Sequence, residues 1–98
     1  MITSKQRAYL RSMANSMETI LIVGKGGVSA EVIKQADDAL TAREIFKGKV
    51  LDTAEDGVRE IAAALAEKTQ ADIVQIIGTK FVLYRKNNKN SKIILPKK

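Results

Sequence analysis

The sequence predicts a compact α/β sandwich with a mixed four-stranded sheet and elements in the order α-β-α-β-α-β-β. Short aliphatic runs alternate with segments whose apolar residues recur at helical spacing. Two consecutive strand–helix–strand units require parallel strands joined by right-handed crossovers. The last two strands are separated only by Gly78, Thr79 and Lys80, a spacing typical of a hairpin that adds an antiparallel strand.

The N-terminal segment predicts a helix followed by a buried strand. Residues 4–17 form the helix, because Leu10, Met13 and Met17 recur at helical spacing. Its basic residues Lys5, Arg7 and Arg11 lie off that apolar stripe. Thr19–Val23 is a short β-branched run that ends in glycine, which indicates a buried strand.

The middle of the chain predicts a second helix and a half-exposed strand. Ser29 suits the N-cap, and the helix runs to about Arg43, with an apolar side formed by Val32, Ile33, Ala36 and Leu40. Residues 44–51 then alternate, so that lysines face one way and apolar side chains the other.

A third helix and the closing hairpin complete the predicted domain. Thr53 and Asp56 resemble a capping box for a helix that ends near Gln70, with the apolar stripe Val58, Ile61, Ala62 and Leu65. Residues 73–77 and 81–85 are the two strands of the hairpin.

The composition is that of one ordinary globular domain and argues against catalysis. The chain has 98 residues, 45% hydrophobic and 29% charged, with no cysteine and no histidine. Disulfides, thiolate or imidazole metal ligands and histidine-dependent triads are therefore excluded. We expect no catalytic site, no metal and no cofactor. No apolar run suits a signal peptide or a bilayer span, so we expect a soluble, cytoplasmic protein without membrane contact.

Positive charge is concentrated at the C-terminal end. Residues 1–84 carry eleven basic and eleven acidic residues, so the net charge of +6 comes from Arg85, Lys86, Lys89, Lys92, Lys97 and Lys98. Most acidic residues lie between Glu31 and Asp72, whereas residues 1–30 carry four basic residues and one acidic residue. This segregation favours one face turned toward phosphate. We expect a domain of residues 1–86 and a mobile basic tail of residues 87–98, within which the apolar residues 93–95 can dock locally.

Residues 24–27 read Gly-Lys-Gly-Gly and join the first strand to the second helix. Glycines let a phosphate backbone approach the main chain, while a helix start offers unpaired N–H groups. Three glycines also make an ordinary tight turn. A Walker loop would need serine or threonine after its lysine, and a dinucleotide fingerprint would need glycine or alanine where Ser29 stands. A GXXG loop, which clamps nucleic-acid backbone in KH domains, fits the sequence.

Several blocks of the sequence together resemble one family. They are KQR and YL in the first helix, ETILIVGKGGVSAEVIKQADDAL, REIFKGKVL and ADIVQIIGTKFVLYR. In this order they resemble the CRM domain (chloroplast RNA splicing and ribosome maturation) in its stand-alone bacterial YhbY form, over about residues 3–86. The resemblance implies a fold similar to the C-terminal domain of bacterial translation initiation factor three. It also implies RNA binding through the GXXG loop and association with precursors of the large ribosomal subunit.

The resemblance also implies which residues bind RNA. The loop maps onto Gly24, Lys25, Gly26 and Gly27, and the basic first helix onto Lys5, Gln6, Arg7 and Arg11. To these RNA-binding residues we add Arg85 and Lys86, where the basic segment without acidic residues begins. We interpret Lys47 and Lys49 as solubilising strand residues. Two residues depart from the expected pattern and concern stability: Gly48 replaces a β-branched residue and Gln70 a helix-ending glycine.

The predicted function is binding of ribosomal RNA, by a monomer, during assembly of the large subunit. The four aromatic residues are too few for a stacking platform, because Phe46 and Phe81 stand at core positions. Backbone clamping and Lys or Arg contacts favour structured RNA. The alternative is a protein-interaction module that docks on a ribosomal protein through the acidic second and third helices. An enzyme is not expected, since the grouped carboxylates suit helix surfaces and caps.

Overall fold

Seven helices and strands follow one another in the predicted order. The computed structural model describes residues 2–87 and residue 93. Its elements are α1 (Ser4–Ala14), β1 (Thr19–Val23), α2 (Ala30–Arg43), β2 (Ile45–Val50), α3 (Val58–Thr69), β3 (Asp72–Ile77) and β4 (Lys80–Tyr84). The predicted α/β class, element order and mixed sheet are confirmed. No helix in the described part of the chain is long and apolar enough to cross a membrane.

The sheet has the strand order β1-β2-β4-β3. β1 pairs with β2 in parallel, and β4 lies antiparallel between β2 and β3. The N–H of Leu51 donates to the carbonyl of Val23 at 2.9 Å, and the N–H of Val50 donates to that of Thr79 at 2.8 Å. Three segments therefore meet at one end of the strands, which we name the glycine end of the sheet. They are residues 24–27, residues 51–57 and the hairpin turn at residues 78–79.

Helices α2 and α3 cover one face of the sheet. The core beneath them contains Phe46 from β2 and Phe81 from β4, both fully buried. Their rings meet edge to face, with centroids 6.1 Å apart and planes at 80°, an arrangement favoured by the ring quadrupoles. The prediction that both phenylalanines are core residues is confirmed.

Gly48 makes room for the ring of Phe81. The two residues pair directly across β2 and β4. A Cβ atom added to Gly48 would lie 2.4 Å from Cζ of Phe81, far inside van der Waals contact. The glycine therefore stands where a β-branched residue was expected because the aromatic ring of Phe81 on the neighbouring strand occupies that space.

Helix α1 packs on the opposite face of the sheet. Leu10 and Ala14 are buried there among Ile45, Val74, Val82 and Tyr84, together with Ile2 and Ile93. Thr3 and Gln6 form a capping box at its start. The helix covers β3, β4 and the beginning of β2 but leaves β1 open, since Ile20 and Ile22 remain 42% and 58% exposed.

Two predicted helix boundaries are wrong. α1 ends at Ala14 rather than near Met17, because the chain turns there and the N–H of Met17 donates to the carbonyl of Ala14 at 3.1 Å. α3 begins at Val58 with Gly57 as its N-cap, so Thr53 and Asp56 do not form its capping box. The intervening residues make a turn in which the N–H of Ala54 donates to the carbonyl of Leu51.

The structure also shows how Gln70 serves where a helix-ending glycine was expected. Gln70 ends α3 in the left-handed conformation, with φ of 59°. Its N–H donates to the carbonyls of Ala66 and Glu67, so it closes the helix as a glycine would. A non-glycine residue in this conformation carries backbone strain.

Buried Glu44 fixes the end of the domain. It was predicted to begin β2, but it caps the C-terminus of α2 with φ of 67° and is only 1% exposed. Its carboxylate accepts the N–H groups of Asn87 and Ile93, each at 3.3 Å. At these two positions the backbone is hydrogen-bonded to the domain. Residues 88–92 and 94–98 lie outside the described residues.

Arg85 ties the end of β4 to both helices of the α2–α3 layer. Its guanidinium donates to the Asp37 carboxylate at 2.6 Å, to the Thr41 hydroxyl at 2.9 Å and to the Thr69 carbonyl at 2.9 Å. A third acceptor on α2 is the carbonyl of Asp37, at 3.3 Å.

We predict that Gly48→Ala lowers the free energy of unfolding by about 1–3 kcal/mol, because the added methyl group overlaps the Phe81 ring. Urea denaturation measures the change. Gly26→Ala is the matched control, since a Cβ there meets nothing within 4 Å. The double variant Gly48→Ala/Phe81→Leu should lose less than the sum of the two single variants. Unchanged stability of Gly48→Ala would contradict the assigned packing.

We also predict that Arg85→Ala lowers the free energy of unfolding by about 1–3 kcal/mol, because several acceptors lose their donor at once. Lys86→Ala removes the same charge from the next, exposed position and should change stability by no more than about 0.5 kcal/mol. Denaturation midpoints compare the two variants. Equal midpoints would show that the guanidinium contacts contribute nothing to stability.

Candidate nucleic-acid interface

The turn at residues 24–27 exposes its backbone at the glycine end of the sheet. The N–H of Gly27 donates to the carbonyl of Gly24 at 2.9 Å, which leaves Lys25 and Gly26 at the exposed corner. Gly27 adopts φ of 61°, a conformation that favours glycine. A Cβ on Gly26 or Gly27 would meet no atom within 4 Å. A bulky anion can therefore approach the main chain here without displacing side chains.

The start of α2 lies directly after this turn. Ser29 is the N-cap, as predicted, and its hydroxyl accepts the N–H of Val32 at 3.2 Å. The N–H of Ser29 in turn donates to the carbonyl of Gly27 at 3.0 Å, which orients the loop relative to the helix. A helix start carries partial positive charge and N–H groups without acceptors inside the helix, so it favours a bound anion.

An acidic loop borders one side of the glycine turn. Residues 51–57 carry the exposed carboxylates Asp52, Glu55 and Asp56. This loop touches the turn at Gly24, where an added Cβ would lie 3.4 Å from Oγ1 of Thr53. Because these carboxylates repel phosphate, the favoured approach to Lys25 and Gly26 is from the opposite side.

The basic residues of α1 differ in what they can offer to a ligand. Lys5 and Arg11 are exposed and form no ion pair with any described residue. Arg7 is half-buried and donates through Nε to the carbonyl of Ile73 at 3.2 Å, which fixes α1 to β3. Gln6 accepts the N–H of Thr3 at 3.0 Å as part of the capping box. Lys5 and Arg11 are thus the freer cationic side chains of this helix.

The fold does not bring the glycine turn and α1 together in one cluster. The turn follows β1 at one edge of the sheet, whereas α1 lies over β3 at the other edge. With neighbouring strands about 4.8 Å apart, these edges are roughly 14 Å from each other. The part of the sheet that α1 leaves uncovered lies between them.

Arg85 and Lys86 lie at the far end of the sheet from the turn. β4 begins at the glycine end and runs away from it, so the residues after Tyr84 emerge at the opposite end. The Arg85 side chain is held by α2 and α3, while Lys86 is exposed. Of the six basic residues from Arg85 onward, the other four lie outside the described residues.

Sequence reasoning did not identify Lys80 as a neighbour of Lys49. The alternation in β2 correctly placed Lys47 and Lys49 on one face, away from Phe46 and Val50. Lys80 pairs directly with Lys49 across β2 and β4. Their proximity depends on β4 inserting between β2 and β3, a non-local pairing that local periodicity does not encode.

The described residues contain no group of three or more carboxylates that could hold a metal ion. The pKa of Tyr84 lies above its ordinary value. Burial raises the pKa of its phenol, and the carboxylates of Glu44 and Asp72 raise it further. This tyrosine packs under α1 at the end of the sheet opposite the glycine turn.

The chain is similar to several proteins from bacteria and archaea. It is 43% identical over 96 residues to the Probable RNA-binding protein YqeI of Bacillus subtilis, covering 98% of this chain and 100% of that protein. It is 31% identical over 97 residues to an RNA-binding protein of Haemophilus influenzae, covering 99% and 97% of the two chains. A third relative is the Probable RNA-binding protein MJ0652 of Methanocaldococcus jannaschii, 38% identical over 87 residues, which are 86% of this chain and 63% of that protein.

A solved structure has the same fold. The solution structure of the hypothetical protein SAV1595 from Staphylococcus aureus superposes with a TM-score of 0.82 and 44% sequence identity, covering 98% of this chain and 100% of that chain. The family description CRS1 / YhbY (CRM) domain matches residues 2–85, nearly the whole described domain. The names of the family and of its relatives point to RNA-binding proteins rather than to enzymes. Sequence blocks, fold and relatives agree that this chain belongs to the CRS1/YhbY (CRM) domain family.

Proposed function

We propose that this protein binds ribosomal RNA through the glycine turn at residues 24–27 and acts in assembly of the large ribosomal subunit. The observation that carries the proposal is the open backbone of this turn, with Lys25 at its corner and the start of α2 behind it. Relatives named as RNA-binding proteins support the RNA part of the proposal. The ribosomal part follows from the family resemblance.

The turn would act as a clamp on the phosphate backbone. A phosphate can sit against the main chain of Gly26 and Gly27, because no side chain occupies that space. The α2 start supplies N–H groups and partial positive charge, and Lys25 supplies a mobile full charge. Such contacts fix position without reading bases, so the shape of the RNA determines the choice of partner.

The remaining parts of the proposal follow from the same function. Lys5 and Arg11 on α1 provide additional phosphate contacts, and Lys86 provides another at the far end of the sheet. The protein acts as a monomer in the cytoplasm, where precursors of the large subunit are assembled. It performs no chemical step and uses neither metal nor cofactor.

Docking on a ribosomal protein through acidic helices is the less favoured function. Two of the carboxylates that would carry it are already engaged within the protein. Asp37 binds Arg85 at 2.6 Å, and Asp38 binds Lys34 at 3.0 Å. Both pairs reduce the negative charge that α2 can present to a partner.

We predict that Gly26→Asp weakens RNA binding at least tenfold, about 1.4 kcal/mol, because a carboxylate fills the phosphate position and repels the ligand. Gly26 suits this change better than Gly27, whose φ of 61° strains any other residue. Affinity for a structured RNA hairpin is measured against salt, with circular dichroism to verify folding. A folded Gly26→Asp protein that binds like the parent would move the site away from this turn.

The milder change Lys25→Ala should reduce the slope of log affinity against log salt by about one, because one phosphate contact is lost. Lys68→Ala is the matched control: this exposed lysine forms no ion pair with a described residue and lies at the end of α3 that is remote from the glycine end. Its slope should equal that of the parent. Equal slopes for both variants would remove Lys25 from the interface.

We further predict that the protein co-sediments with immature large-subunit particles and not with mature ones. Sucrose-gradient fractions from growing cells, probed with an antibody, test this. Nuclease treatment should release the protein, because RNA carries the attachment. Attachment that survives nuclease would instead favour docking on a ribosomal protein, and equal distribution among all ribosomal fractions would contradict an assembly role.

A further inference from the structure

A row of four residues crosses the uncovered face of the sheet. Ile22 pairs with Lys49, Lys49 with Lys80, and Lys80 with Ile77, so the row runs through all four strands. Residues paired across neighbouring strands project from the same face of a sheet. We name these four residues the lysine row.

The lysine row faces solvent rather than the core. The neighbouring pair Gly48 and Phe81 points into the layer of α2 and α3, and successive residues of a strand alternate between faces. The row therefore lies on the α1 side, beyond the area that α1 covers. Ile22 and Ile77 at its two ends are 58% and 61% exposed.

A second row, with a polar side chain at each end, lies alongside the first. Lys47, Val82 and Gln75 are paired across β2, β4 and β3 on the same face. Together with Asn15 at the end of α1, they border a shallow depression of about 110 Å³. The amides of Asn15 and Gln75 can both donate and accept hydrogen bonds, as a ribose 2′-hydroxyl requires.

The strands carry three lysines on this face near the glycine end. Lys47, Lys49 and Lys80 form no ion pair with any described residue. Glu18 before β1 and Asp72 at the start of β3 lie toward the other end of the sheet, whereas the carboxylates of the acidic loop at residues 51–57 lie beyond the strands at the glycine end. Unopposed lysines on a flat surface suit a polyanion, because each phosphate contact releases bound counterions.

The lysine row also lies beside the glycine turn. Ile22 is two residues before Gly24 on β1, so the row begins where the turn begins. Its other end, Ile77 on β3, lies beside the end of α1, where Asn15 lines the same depression. The row thus spans the roughly 14 Å that separate the two elements predicted to bind RNA.

We propose that an RNA strand held at the glycine turn continues across the lysine row, so that the sheet face is a second contact surface for structured RNA. Lys49, Lys80 and Lys47 neutralise successive phosphates, and the exposed isoleucines contact the apolar faces of ribose. The two adjacent lysines at the centre of the row favour nucleic acid over an apolar protein partner, which would leave desolvated lysines unpaired. This inference rests on the proposed function of the turn.

The test compares two double variants that each remove two positive charges. Lys49→Gln/Lys80→Gln alters the row, whereas Arg59→Gln/Lys68→Gln alters exposed positions of α3 on the opposite layer. With a labelled RNA hairpin as the probe, the row variant should bind roughly tenfold more weakly at physiological salt, with a slope of log affinity against log salt reduced by about 1.5. The α3 variant should bind like the parent.

Measuring Gly26→Asp in the same assay separates the two proposals. If Gly26→Asp loses binding while the row variant binds like the α3 variant, RNA contact at the glycine turn is supported and RNA contact at the lysine row is overturned. Equal weakening of both double variants would overturn the row as well, since net charge alone would then explain the loss. A parent protein that binds no hairpin would overturn both proposals.

Amide-resolved NMR of the parent protein gives an independent readout that needs no substitution. Addition of the hairpin should shift the amide signals of Ile22, Lys49 and Lys80 together with those of the glycine turn. Shifts confined to the turn and α1 would overturn the proposal, whatever the folding state of the variants.

Discussion

The close approach of Phe81 to Gly48 sets the register on which the rest of the sheet depends. It holds β4 against β2 and fills the core beneath α2 and α3. Lys49 follows Gly48, and Lys80 precedes Phe81. These two lysines are thereby paired on the opposite face of the sheet. A slip of one residue would exchange the two faces, burying lysines and exposing a phenylalanine. One steric contact thus determines both the hydrophobic core and the arrangement of charge outside it.

The two faces of the sheet are used differently. The layer of α2 and α3 is complete, and most carboxylates of the domain belong to it or to the loop before it. Among the described residues, α1 is the one helix on the other face, and it leaves strand β1 and the glycine end open. A sheet covered in this uneven way can be stable through one core and still present extended backbone and lysines to a large, flat ligand.

Local patterns predicted most of the fold, and non-local contacts account for what they missed. The bounds of β1 and the Ser29 cap followed from β-branched residues and a hydroxyl beside a helical stripe. Glu44 could not be recognised as buried, because its partners Asn87 and Ile93 are more than forty residues away in sequence. The same holds for the clamp around Arg85 and for the pairing of Lys49 with Lys80. The glycine turn was found from sequence because its chemistry lies in four consecutive residues.

The burial of Glu44 has a consequence for where this domain ends. The family match stops at residue 85, yet the donors that satisfy this carboxylate include the backbone of Asn87 and Ile93. A fragment trimmed to the family boundary would keep every helix and strand but would leave a carboxylate in the interior with fewer donors, which is costly. The hydrogen-bonded contacts of the domain therefore extend past residue 85, where the family match ends.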